Sequence, residues 1–162
     1  MTIFGKPLTA YVRFAKVFIG LVLVVGLVRL AASLAGVPNS STNWLSMTAL
    51  GWIGVFDFAV RVHTTRFGSY KHLLPPVAIV NLTAQAIAIV AIVIAIFTGV
   101  DNIFSAPEYA FGSDGKTWIH LAAHLFIGTT VGTLIPWIVG SLVLFLSKKA
   151  LHTGPNDAAA RA

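Results

Sequence analysis

The chain has 162 residues, of which 57% are hydrophobic and only 10% are charged, and its mean hydropathy is +0.87. Soluble domains carry about 25% charged residues, so this composition indicates an integral membrane protein and excludes a large water-soluble domain. The absence of cysteine excludes disulfides, thiolate metal sites and iron–sulfur clusters. The net charge of +6 comes from residues that flank apolar segments, which argues against nucleic-acid binding.

Four apolar segments follow one another along the chain, at about residues 17–37, 44–60, 73–100 and 118–146. Each is long enough to cross a hydrocarbon core of about 30 Å as a helix that rises 1.5 Å per residue. We therefore expect an all-α, four-transmembrane-helix bundle that forms a single domain over residues 1–150. The alanine-rich residues 151–162 are expected to form a mobile tail.

Prolines mark two places in these segments. Pro75 and Pro76 are expected in the opening turn of the third helix, where a missing N–H is harmless. Pro136 lies inside the fourth segment and predicts a kink there, with Thr133 or a neighbouring helix bonding the freed carbonyl.

Basic residues set the expected orientation, because Lys and Arg near span ends are retained in the cytoplasm. The first connection is uncharged and the third is acidic, whereas the two flanks and the second connection are basic. The sequence therefore predicts cytoplasmic N and C termini in a multi-pass protein of a bacterial inner membrane. The basic residues concerned are Lys6, Arg13, Lys16, Arg61, Arg66, Lys71, Lys148, Lys149 and Arg161.

Polar residues in the second and third segments form the first candidate site. Asp57 and Arg61 are spaced i,i+4, so they share a helix face and can neutralise each other, and Asn81 and Gln85 repeat that spacing. Both pairs enter from the same predicted side of the membrane, so their polar faces are expected to meet. Either an interhelical hydrogen-bonded clasp or a pathway for a ligand or ion would result.

Arg29 interrupts the first segment about 18 Å along the helix from Val17, at 1.5 Å per residue, and is expected in the outer half of the membrane. It either reaches the outer headgroups or a loop carboxylate, or it joins an outward-facing polar pocket beside the histidines of the fourth segment.

His120 and His124 open the fourth segment and form the second candidate site. Their i,i+4 spacing places both imidazoles on one helix face, which can supply two metal ligands. A zinc site takes about four ligands, so Glu108, Asp101 or Asp114 of the loop, or a second subunit, would have to complete it. Interfacial histidines that hydrogen-bond loop carbonyls or water are the alternative, and pH sensing by the pair and a divalent metal at His120, His124 and Glu108 both stay open.

Haem is not expected within one subunit. A transmembrane haem needs histidines from facing helices at matched depth, and His63 and His72 belong to the opposite predicted side of the membrane.

A stripe of small residues continues from the histidines at every fourth position: Gly128, Gly132, Pro136 and Gly140. Such a groove lets another helix approach closely. The partner helix lies either in the same bundle or across a subunit boundary.

These features favour a small polytopic membrane protein that acts as an oligomeric channel, carrier or ligand-binding membrane unit. The polar residues of the second and third segments and Arg29 would line its site. A non-catalytic accessory or assembly subunit of a larger membrane complex is the first alternative. A membrane enzyme or redox subunit that uses the outer histidine pair is the second. Expected partners are membrane lipids, anionic ones included, and either further copies of the chain or a membrane complex.

Overall fold

Helices dominate the part of the chain that the computed structural model describes, residues 1–110 and 112–152. Helix α1 spans Leu8–Leu34, α2 Met47–Thr64, α3 Tyr70–Thr98, α4 Trp118–Ala123 and α5 Thr129–His152. A π-helical turn, His124–Gly128, joins α4 to α5, and together they form the fourth span. All four spans are long and apolar enough to cross a membrane, which confirms the predicted number and type of segments. Beyond residue 152 the predicted tail lies outside the described residues.

The spans pack as a bundle in which α1 and the fourth span lie on opposite sides, and each contacts both α2 and α3. We call one end of the bundle the termini end, because residues near both termini meet there. The ring of His72 contacts the carbonyl of Phe4 at 3.2 Å, and the Lys148 amino group lies 4.4 Å from the centre of the Tyr70 ring. The opposite end carries the first and third connections and is called the loop end.

A short hairpin precedes α1 at the termini end. Its strands, β1 (Thr2–Ile3) and β2 (Lys6–Pro7), pair antiparallel. The two turn residues, Phe4 and Gly5, have φ angles of 50° and 82°, the left-handed conformation that tight hairpins require. The Tyr11 hydroxyl donates a hydrogen bond to the Ile3 carbonyl at 2.9 Å, which fastens the hairpin to α1.

Helix α1 begins at Leu8, well before the predicted start at residue 17. The prediction placed Arg13 and Lys16 outside the helix because they are charged. In the structure both are exposed on one side of the helix, while Tyr11 and Phe14 are buried on the other. The amphipathic first turns therefore extend the helix beyond its uniformly apolar part.

Helix α3 also begins earlier than predicted. Ser69 precedes it, and its backbone N–H donates to Nδ1 of His72 at 3.0 Å, which caps the first turn. Pro75 and Pro76 consequently lie in the second turn, where both are buried, and not in the opening turn. That prediction was wrong because the cap adds a turn at Tyr70.

The fourth span departs from α geometry at the π-helical turn. The Thr117 side chain caps α4 by accepting the N–H of His120 at 3.2 Å. A π-helical turn holds one extra residue, so it rotates the residues before it relative to those after it. Helix α5 continues through Pro136, and the kink expected there stays a prediction.

Aromatic rings fill the termini-end half of the core. Phe14 stacks on Phe67 with ring centres 4.2 Å apart, and Phe58 lies 5.6 Å from Phe14 and 5.3 Å from Phe18. Around them the fully buried aliphatic side chains include Val62, Leu73 and Leu144.

The third connection folds into the loop end instead of lying over it. Asn102 and Ser105 are 1% and 0% exposed. The Asn102 amide donates to the Ala91 carbonyl of α3 at 2.8 Å, and its oxygen accepts the N–H of Phe104 at 3.0 Å. The loop thereby contributes apolar side chains to the interior.

Candidate functional site

A cavity of about 480 Å³ lies between the spans, from the middle of the bundle towards the loop end. Its volume is within the range of about 300–1,000 Å³ that is common for small-molecule sites. Most of its wall is apolar, and a few polar groups converge on it. The apolar lining includes Val55, Phe58, Val77, Val80, Ile103, Phe104 and Ile135, and the polar lining is Arg29, Thr48, Trp52, Asn81, Gln85 and His124.

Asn81 of α3 binds the backbone of the fourth span. Its amide nitrogen lies 3.1 Å from the carbonyl oxygens of Gly128 and Thr129, and it donates to the Thr133 hydroxyl at 3.0 Å. A π-helical turn disturbs the regular pairing of helix carbonyls, and Asn81 supplies a donor at that place. Thr133 accepts this hydrogen bond from Asn81, and the expectation that Thr133 or a neighbouring helix bonds the carbonyl freed by Pro136 stays a prediction.

From Asn81 the polar contacts continue towards the loop end. The Gln85 amide nitrogen donates to the Asn81 oxygen at 3.4 Å, and the Gln85 oxygen lies 2.8 Å from Nδ1 of His124. Nε2 of His124 lies 3.1 Å from Nε2 of His120, and the two rings stack with centres 5.0 Å apart. We call these four side chains, Asn81, Gln85, His124 and His120, the polar row.

Two glycines make room for the polar row. A Cβ on Gly128 would stand 2.7 Å from the Gln85 oxygen, and one on Gly132 would stand 3.0 Å from the Asn81 oxygen. Further along, a Cβ on Gly140 would stand 2.8 Å from a methyl of Val55. The predicted small-residue stripe therefore faces α2 and α3 of the same chain.

Arg29 lines the cavity from α1, on the side opposite the fourth span. Its helix position is near the loop end, and it lines the same cavity as His124, whereas the expected role of Arg29 in an outward-facing pocket stays a prediction. The guanidinium is partly buried, and it brings a permanent positive charge to a mainly apolar space.

Two polar clusters hold the third connection in place at the cavity. Lys116 pairs with Asp101 at 2.6 Å and with Asp114 at 3.2 Å, and the hydrogen bond that Lys116 donates to Asp101 is the main cause that raises the pKa of Lys116. Asn39 of the first connection donates to the Glu108 carboxylate at 2.8 Å, which is the main cause that lowers the pKa of Glu108. The loop residues Ile103 and Phe104 are thereby kept in the cavity wall.

Asp57 and Arg61 lie apart from this cavity. They form the expected i,i+4 pair at 3.0 Å, with both side chains 37% exposed. Arg61 also donates to the Phe14 carbonyl at 3.2 Å and stands 4.3 Å from the Phe14 ring. The structure therefore joins this pair to α1, whereas Asn81 and Gln85 join the histidines.

The candidate metal ligands are separated in their contacts. His120 and His124 bond each other and Gln85, while Glu108 bonds Asn39. Within residues 1–110 and 112–152 no group of three or more His, Cys, Asp or Glu side chains is arranged to hold a metal ion. The structure therefore does not bring Glu108 to the two histidines, which belong to the polar row, and a metal at His120 and His124 stays a prediction.

Four residues of the cavity wall were not predicted from the sequence. Thr48 and Trp52 are spaced i,i+4 at the start of α2, and Ile103 and Phe104 lie in a connection. Ile103 and Phe104 are adjacent large apolar residues in a connection that also contains three carboxylates, and this favours a buried position for them.

Comparisons of this chain with models of known protein families, with curated protein sequences and with solved structures found no match.

Proposed function

We propose that this protein is a ligand-binding unit of a bacterial inner membrane, with both termini in the cytoplasm, and that it binds a small amphiphilic organic anion in the cavity. The four apolar spans and the distribution of Lys and Arg support the membrane placement. With this orientation the cavity lies in the outer half of the bilayer.

The observation that carries the proposal is the combination of groups in the cavity wall. Valine, isoleucine and phenylalanine side chains form most of it, which suits an apolar ligand body. Arg29 supplies one cation, and Asn81, Gln85 and His124 supply directional hydrogen-bonding groups. A permanent charge within an apolar wall is costly in a membrane, so such residues usually serve a ligand or a partner charge.

Binding fits the geometry better than open permeation. Towards the termini end the cavity is bounded by Phe58 and Val77, and beyond them the interlocked rings of Phe14, Phe18 and Phe67 fill the space. A carrier that alternates its access would have to rearrange this aromatic half.

The glycine stripe, which was the main sequence feature in favour of an accessory subunit, does not support that alternative. The stripe of Gly128, Gly132 and Gly140 faces α2 and α3 of the same chain, so it does not by itself imply a second subunit. Oligomerisation would have to use other, lipid-facing surfaces.

The test uses a brominated anion as probe, because bromine quenches nearby tryptophan fluorescence. The purified chain in nanodiscs of neutral lipid is titrated with 8-bromooctane-1-sulfonate and, separately, with the uncharged 8-bromooctan-1-ol. The difference in quenching between the wild type and Trp52→Phe isolates the tryptophan in the cavity wall from the other three.

We expect saturable quenching of Trp52 by the sulfonate. Arg29→Gln should weaken it about tenfold or more, since a hydrogen bond to a charged group contributes about 1.5–3 kcal/mol. Arg29→Lys should weaken it less, and Arg13→Gln, on the exposed side of the same helix, should leave it unchanged. Equal quenching by sulfonate and alcohol, or no effect of Arg29→Gln, would contradict the proposal.

A further inference from the structure

The backbone of the fourth span fixes the direction of every hydrogen bond in the polar row. Carbonyl oxygens only accept, so the Asn81 group that lies 3.1 Å from the carbonyls of Gly128 and Thr129 must be its NH₂. The Asn81 oxygen then faces Gln85, whose NH₂ donates to it at 3.4 Å. Two side-chain amides, which could each be flipped in isolation, are thus oriented by the network.

This direction determines the tautomer of His124. Once the Gln85 NH₂ faces Asn81, the Gln85 oxygen is the atom that lies 2.8 Å from Nδ1 of His124. That oxygen can only accept, so Nδ1 of His124 must carry a hydrogen. In the neutral ring Nε2 is then bare and can accept a hydrogen bond.

The bare Nε2 of His124 faces Nε2 of His120 at 3.1 Å. A hydrogen bond between them requires a hydrogen on Nε2 of His120, so the two neutral rings hold opposite tautomers. When one proton is added, a single hydrogen again lies between the two Nε2 atoms, and the positive charge is shared by the pair. A second proton would place two imidazolium rings face to face with centres 5.0 Å apart, which their mutual repulsion opposes.

We propose that His120 and His124 form a site that binds one proton, and that its protonation is coupled to binding of the organic anion. The coupling rests on the proposed function, whereas the proton site does not. His124 shares the cavity wall with the neutral Asn81 and Gln85 from α3, with Arg29 from α1 and with the apolar loop residues, and His120 contacts His124 from outside that wall.

Charge explains the coupling. Among the described residues no carboxylate lines the cavity, so protonation adds a second positive charge to a space that already contains Arg29. An anion in the cavity offsets the charge that protonation adds. By thermodynamic linkage the proton then strengthens anion binding by the same factor by which the anion strengthens proton binding.

The first experiment measures ring tautomers by ¹⁵N NMR of histidine-labelled protein in neutral nanodiscs at alkaline pH, with His120→Asn and His124→Asn for assignment. We expect His124 to carry its hydrogen on Nδ1 and His120 on Nε2. Gln85→Leu should abolish the Nδ1–H preference of His124, and Gln85→Glu, which keeps an oxygen acceptor, should retain it. A wild-type His124 with its hydrogen on Nε2 would overturn the proton site.

The second experiment follows binding of 8-bromooctane-1-sulfonate between pH 8 and pH 5, because a sulfonate stays ionised throughout. The affinity should rise about tenfold in the wild type as the pair is protonated, within the usual range of coupling factors. The rise should disappear in His124→Asn and persist in His63→Asn, a control on α2 outside the cavity lining.

The two proposals can fail separately. Arg29-dependent binding that is flat with pH, while the ¹⁵N spectra recorded down to pH 5 show the pair taking up a proton, would overturn the coupling and leave the proposed function standing. Opposite tautomers at alkaline pH and uptake of one proton in the same spectra, with no sulfonate binding at any pH, would support the proton site and contradict the proposed function.

Discussion

At the termini end of the bundle the helices meet through interlocked side chains, whereas at the loop end they surround a cavity with a charged and hydrogen-bonded wall. The first half is held by rings 4.2–5.6 Å apart and by aliphatic residues such as Leu144 that are fully buried. The second contains Arg29, the polar row and a folded loop. We call the termini-end half the filled half and the loop-end half the hollow half. Tight packing in the filled half stabilises the bundle, and this stability offsets the cost of the polar groups in the hollow half.

Substituting Gly140 should have the largest effect, because this residue lies in the filled half. Its added Cβ alone would meet Val55 at 2.8 Å and Leu73 at 3.0 Å, so Gly140→Leu should cost about 3 kcal/mol and lower the yield of folded protein. The free energy of unfolding in a lipid–detergent mixture checks this.

Gly20→Leu is the matched control, because a Cβ there meets nothing within 4 Å. It should leave the stability nearly unchanged. Equal losses for both variants would mean that the filled half is no more tightly packed than the exposed surface of the helices.

Alanine substitutions of two valines compare the packing of the two halves. Val62 is 0% exposed in the filled half, and Val80 is 4% exposed but borders the cavity. Val62→Ala should cost about 1–2 kcal/mol of stability because it creates a new void. Val80→Ala enlarges an existing space and loses fewer contacts, so it should cost about half as much or less.

The same unfolding measurement decides this comparison. If Val80→Ala destabilises as much as Val62→Ala, the cavity wall is packed like the rest of the core. The loop-end half of the purified protein would then contain no cavity.

The smallest effect concerns the loop end and depends on pH. The pKa of Glu108 is lowered, mainly by the hydrogen bond from Asn39, so the folded value lies below the ordinary value of 4.5. The bond therefore contributes stability above that ordinary value, and its contribution is lost as the pH falls through the lower, folded-state pKa. Between pH 5 and pH 8 the tether of the loop should be insensitive to pH.

Glu108 is the only glutamate of the chain, so ¹³C-labelled glutamate gives one carboxyl resonance to titrate. Asn39→Ala should raise its pKa towards the ordinary value, and Ser40→Ala, in the same turn, should not. A pKa that stays low in Asn39→Ala would refute the assigned cause.

Sequence alone was sufficient for the four apolar spans, because their length and composition are local properties that every helix in a membrane must satisfy. Element ends were less predictable. The α3 start depends on the cap between Ser69 and His72, and the α1 start depends on which side of the helix faces the core.

The composition of the site was decided by tertiary structure. Spacing correctly placed Asp57 beside Arg61, but only packing shows that Arg61 turns to Phe14 of α1 while Gln85 turns to His124. Which helix faces meet depends on close approach at Gly128 and Gly132 and on the rotation that the π-helical turn introduces. Those are properties of the assembled bundle, because a side chain's partner on another helix is set by packing and not by its own spacing.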